Sequence, residues 1–217
     1  MLKRLRSWAI LAHRVLQNKK VQVYTIIGFK VALMYIYTIG ILSGSINPTV
    51  PSWGIITVAV TVVYSAFVAK QRRLVDPGNV SNTADIVLVW TMFPMVLVWG
   101  QGDNMAWKLR DLLCALAAIA VIVYWAKNWT KKGNHTRAHL AMQGVMTLAF
   151  LPLFNNLWQA DANPESFLYW RLVLFAEAIG VLVARKHESV LPAVYCARAT
   201  LMALITLALM LRIEFLN

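Results

Sequence analysis

Seven apolar runs, at 21–42, 53–69, 82–101, 111–126, 138–158, 168–184 and 190–213, alternate along the chain with short polar segments. About 20 apolar residues cross a bilayer as a helix, and a helix satisfies its own backbone polar groups where no water can. Each run therefore predicts a transmembrane helix. The polar pattern divides them further. The loop from Lys127 to Arg137 is the longest on its side and marks the expected boundary between two halves. The sequence thus predicts an all-α integral membrane protein with seven transmembrane helices: a first three-helix bundle over 21–101, a linker helix and loop over 102–136, and a second three-helix bundle over 137–217.

Short internal matches support the division. Phe93-Pro94 to Trp99 resembles Leu151-Pro152 to Trp158, and each is followed by a polar loop and a tryptophan, Trp107 or Trp170, that opens a new run. Pro51-Ser-Trp53 likewise matches Leu168-Tyr-Trp170, and the runs that follow end in Ala69-Lys70 and Ala184-Arg185. Equivalent runs lie four crossings apart, so the halves would insert in the same orientation as a parallel repeat. Asn82, Thr83 and Asp85 open the third run with oxygens suited to a helix N-terminus.

Composition excludes a soluble domain. Hydrophobic residues make up 59% of the chain and charged ones only 14%, with nine tryptophans, against roughly half and a quarter in soluble domains. The formal net charge of +12 would suggest nucleic acid in a soluble protein, but its placement excludes that partner. Lys3, Arg4, Arg6, Arg14, Lys19 and Lys20, then Lys70, Arg72 and Arg73, then Lys127, Lys131, Lys132 and Arg137, then Arg185 and Lys186 all fall on one side. The positive-inside rule puts that side, and the N-terminus, in the cytoplasm of a cell or inner membrane. Seven crossings leave the C-terminus outside. Residues 1–20 carry Leu2, Leu5, Trp8, Ala12 and Leu16 at helical spacing among basic residues, which predicts an amphipathic segment on the inner leaflet rather than a cleaved signal.

Charges inside apolar runs are the first candidates for function, because each costs about 2.5–3.5 kcal/mol to insert. Counted from the inner ends at Val21, Arg185 and Val190, Lys30, Glu177 and Arg198 all lie eight or nine residues in, roughly 10–14 Å deep. They can therefore meet, either as a structural ion pair or as a gate or substrate contact; snorkelling is a third reading for Lys30. Glu177 is expected to face Arg198 across the short turn near His187, with Lys30 as the alternative partner. In the fifth run, Pro152 removes a backbone donor and predicts a kink. Gln143, Asn155 and Asn156 could then bond a polar solute while Trp158, Trp99, Trp90 or Phe154 stacks on a ring. The competing reading places Asn155, Asn156 and Trp158 at the outer interface.

Cys114 and Cys196 fall inside apolar runs and read as packing residues. His135 and His139 have the spacing of a metal pair, but no acid accompanies them in that loop, and a solvated or headgroup-facing role is the favoured reading for all four histidines. With no nucleophile triad, phosphate loop or paired acids, the chain is not expected to be an enzyme or to carry a metal or cofactor.

The last third carries a family resemblance. Pro164-Glu-Ser-Phe-Leu-Tyr-Trp170, an apolar helix ending Val183-Ala-Arg185-Lys186, then Glu188 and a final helix resemble the PnuC-type vitamin transporters of the SWEET-like superfamily. That resemblance implies two three-helix bundles joined by an extra helix, and passive transport of a vitamin- or nucleoside-like molecule or a sugar. The partners expected are then the lipid bilayer and a small solute, with a homo-oligomer left open. A membrane scaffold or regulatory subunit, and an ion channel, are the alternative functions.

Overall fold

The structure, a computed structural model, describes residues 18–46, 48, 50–71, 76–99, 108–161, 163 and 165–216. The interfacial segment expected over 1–20 lies outside them except for its last three residues, as do Trp107 and the loop arginines Arg72 and Arg73. Among the described residues the chain is helical without strands: α1 Lys19–Leu42, α2 Val50–Gln71, a 3-10 turn Pro77–Asn79 leading into α3 Val80–Trp99, α4 Leu109–Lys127, α5 Asn134–Leu148, α6 Leu151–Gln159, α7 Phe167–Lys186 and α8 Val190–Leu216. Six spans are long and apolar enough to cross a membrane: Lys20–Leu42, Val50–Gln71, Pro77–Trp99, Asn134–Gln159, Phe167–Lys186 and Val190–Phe215. The protein is an integral, multi-pass membrane protein.

Helix α1 has two distinct faces that explain its orientation. On α1, Gln22, Ile26, Lys30, Leu33 and Ile41 are buried at helical spacing, whereas Tyr24, Ile27, Val31, Tyr35, Ile39 and Leu42 form an exposed apolar stripe. In a soluble protein such a stripe would be a liability; in a bilayer it faces solvent of its own kind. Lys30 stands on the buried stripe, so it does not snorkel.

Two local features differ from the sequence expectation, the start of the third run and the place of His139, while the kink expected at Pro152 is a full break. The third run starts earlier than its first apolar residue: Asp76 caps the 3-10 turn, its carboxylate accepting from the Gly78 amide at 2.6 Å, and Pro77 follows at the first helical position. Asp85 is therefore well inside the span. The fifth run is divided at Ala149–Phe150, where the Phe150 amide bonds the Thr147 carbonyl at 3.1 Å and Pro152 opens α6. Its sequence counterpart Pro94, by contrast, sits inside an unbroken α3. His139, expected to be solvated, is fully buried, its ring nitrogens 3.2 Å from the carbonyl oxygens of Val63 on α2 and Leu191 on α8. His135 instead accepts the Trp125 indole N–H at 2.9 Å.

Packing forms two apolar cores. The larger draws on α1 to α5 and reaches Tyr195 and Cys196 of α8; the smaller gathers Leu157, Trp170, Ala203, Met210 and Ile213 from α6, α7 and α8. Helix α7 packs against both α8 and α1, α2 against α3 and α5, and α1 against α3. Gly180 allows α7 to come close to two neighbours at once: a Cβ there would lie 2.7 Å from the Cys196 Sγ and 3.3 Å from the Ser81 Cβ.

Candidate functional site

Between the two cores lies a cavity of about 530 Å³. Its floor is ionic. Lys30 of α1 donates to the Asp85 carboxylate of α3 at 2.6 Å and also to Glu177 of α7. These are the ion pairs found among the described residues. Glu177 is 1% exposed and Lys30 6%. Ser81 Oγ donates to both Glu177 oxygens, at 3.0 and 3.1 Å, and Tyr195 of α8 donates its hydroxyl to the second Asp85 oxygen at 2.8 Å. Three helices thus meet at one ammonium, and α8 joins them through Asp85. An isolated buried charge would be prohibitively expensive, and this network supplies each charge with both a counter-charge and hydrogen bonds.

Arg198 borders the same cavity but joins no ion pair among the described residues, so the pairing expected with Glu177 is replaced by its alternative, Lys30. The reason is lateral position. Arg198 lies one turn beyond Tyr195 on α8 and turns toward α5, where its Nε donates to Gln143 Oε1 at 2.8 Å. Its guanidinium carbon stands 5.6 Å from the Tyr195 ring centre and 6.0 Å from that of Phe150. Its Nη1 is buried without a hydrogen-bond partner among the described residues.

The walls above the floor are aromatic. Tyr37 packs between Trp53, at 5.1 Å, and Tyr169, at 5.3 Å, while Trp53 donates its indole N–H to the Tyr37 hydroxyl at 3.0 Å. Trp170 donates to Glu165 at 3.0 Å. Trp53 and Trp170, the tryptophans of the internal sequence match, both line the cavity. Pro48, Ser52, Lys108, Asp111, Asn156 and Glu165 complete the lining at the end where α1 stops and α2, α4 and α7 begin. Lys108 and Asn156 are exposed, so the cavity reaches that end. In the loop before α7, burial pushes the Glu165 carboxyl above its ordinary range, opposed in part by the Trp170 N–H.

The candidates from the sequence separate accordingly. Lys30, Glu177, Arg198 and Asn156 border the cavity, and Gln143 holds Arg198. Asn155, Trp158 and Trp99 do not. Asn155 is exposed and accepts from Gln159 at 3.3 Å; Trp158, 61% exposed, lies against Arg212 at 4.6 Å; Trp99 is 50% exposed. All three lie exposed on the surface of the molecule. Trp90 also faces outward and donates to Thr61 at 3.1 Å.

Asp85 is the residue that sequence reasoning assigned elsewhere. It was expected at a helix start, yet counted from Pro77 it lies eight residues in, the depth already found for Glu177 and Arg198. The Asp76-Pro77 pair was the signal that would have moved the start. Below Asp85, the side-chain amides of Asn82 on α3 and of Asn79 in the 3-10 turn are buried and have no hydrogen-bond partner among the described residues. The chain matches no family model, no curated protein and no solved structure.

Proposed function

We propose that the protein is a transporter for a small polar solute, vitamin- or nucleoside-like or a sugar, moving by facilitated diffusion through the central cavity. The observation that carries this reading is a cavity with aromatic walls and an ionic floor built on Lys30, Asp85 and Glu177, reaching one end of the molecule. Its volume of about 530 Å³ lies within the range of small-molecule sites. A scaffold has no use for such a space and would gain from filling it. The buried amides Asn82 and Asn79 continue a polar line from Asp85 toward the opposite end, as a solute path requires.

In this reading α4 is a seventh crossing that connects two three-helix halves, the architecture of the SWEET-like, PnuC-type resemblance. The packing supports it: α2 lies on α3 as α7 lies on α8, α1 on α3 as α6 lies on α8, and α1 on α7 as α5 lies on α2. The N-terminus is cytoplasmic, the C-terminus outside and the cavity mouth outside. Purified protein in liposomes should give saturable uptake of nicotinamide riboside or of simple sugars, and Ala199→Phe, which fills the cavity wall, should abolish it. Failure of both solute classes and of small organic anions alike would favour the scaffold; single-channel currents would favour the ion channel.

A further inference from the structure

Besides the exposed Lys108 at its mouth, the cavity holds two cations of different status at its floor. Lys30 is occupied by two carboxylates. Arg198 is not: Gln143 takes Nε, aromatic rings lie near the guanidinium, and the buried Nη1 has no partner among the described residues. A guanidinium is always charged and forms hydrogen bonds in its own plane, so neighbouring ring faces cannot satisfy its N–H groups. Half-buried, with an unmet donor at its buried Nη1, it is the floor group that gains most from an incoming anion.

We infer that Arg198 binds the anionic group of the solute, and that the solute is a small organic monocarboxylate with a planar or apolar body. This deepens the transporter reading and rests on it for the cavity being a solute site. Two features choose the class. Arg198 is the one cation of the floor with no carboxylate in contact among the described residues, so a singly charged group meets one guanidinium, whereas a phosphate dianion would bring a second negative charge toward Asp85 and Glu177. The body of the solute meets Tyr37, Trp53, Tyr169 and Trp170, whose rings offer apolar faces and stacking. Gln143 acts as a positioning residue: by taking Nε, it fixes the guanidinium and leaves the far edge for the ligand.

The test compares 3-phenylpropionate, its amide 3-phenylpropionamide and phenyl phosphate on the full chain in nanodiscs, with binding read from tryptophan fluorescence and calorimetry. The acid should bind at least about tenfold tighter than the amide, a difference of about 1.4 kcal/mol, and tighter than the phosphate. Arg198→Gln should bring the acid down to the level of the amide, and Arg198→Lys should keep part of the preference. The wild-type comparison does not depend on either variant folding. Equal affinity for acid and amide, no binding of any probe at millimolar concentration, or a preference that survives in Arg198→Gln would overturn the inference; tighter phosphate would overturn the monocarboxylate assignment. Its failure is separable from that of the transporter reading. Acid-selective binding without flux in liposomes would sink transport alone, while flux of neutral solutes without acid preference would sink the anion site alone.

Discussion

Lys30 serves two carboxylates, and this asymmetry orders the effects of removing its partners. Glu177→Gln leaves the Lys30–Asp85 pair intact and weakens one charge-assisted contact, a loss of about 1.5–3 kcal/mol. Lys30→Met leaves two buried carboxylates facing each other, and breaking a buried network from that side costs about 3–5 kcal/mol. The triple change Lys30→Met, Asp85→Asn, Glu177→Gln should recover part of that loss, because it removes charges together. Thermal unfolding midpoints in detergent should therefore rank Glu177→Gln above the triple variant and both above Lys30→Met. A Lys30→Met protein as stable as Glu177→Gln would contradict the shared ammonium. Much of this site was legible from counting residues: the depth of Lys30, Glu177 and Arg198 followed from run boundaries alone. Their lateral positions did not, since depth along a helix says nothing about which neighbour a side chain turns toward. Tyr37 and Tyr169 gave no signal, because aromatic residues are common throughout such a chain.

At the scale of elements, Gly180 sets how closely α7 meets α3 and α8. Gly180→Ala should lower the unfolding midpoint, since the added methyl meets the Cys196 Sγ at 2.7 Å and interior overpacking costs typically about 1–3 kcal/mol. Cys196→Ala in the same chain should restore most of it by removing the sulfur. Additive losses in the double variant would mean that the methyl is accommodated elsewhere. Run lengths predicted the helices well because hydrophobic thickness constrains them. Prolines were harder to read. Pro94 and Pro152 occur in similar sequences, yet only the second coincides with a break, followed by the nine residues of α6. Missing one donor is a local cost that neighbouring helices can absorb or exploit, and the neighbours are not visible in a one-dimensional pattern.

For the molecule as a whole, orientation is the most accessible prediction. In a cysteine-free background, Ser45→Cys should react with an impermeant thiol reagent on intact cells, while Lys132→Cys, in the basic loop between α4 and α5, should react only after permeabilisation. The reverse pattern would invert the topology and place the cavity mouth inside. This side assignment is an expectation that the basic loops alone carry; the cavity was not legible in the sequence, because empty space is a property of packing between distant segments. The floor of that cavity has one more consequence. Lys30 and Arg198 are matched in number by Asp85 and Glu177, so with all four ionised the floor carries no net charge. A membrane potential acts on charge, at about 2.3 kcal/mol per elementary charge per 100 mV. An empty floor gives voltage nothing to pull on. Any electrical signature of turnover then belongs to the cargo: a neutral solute would pass silently, and a charged one would write its own sign into the current.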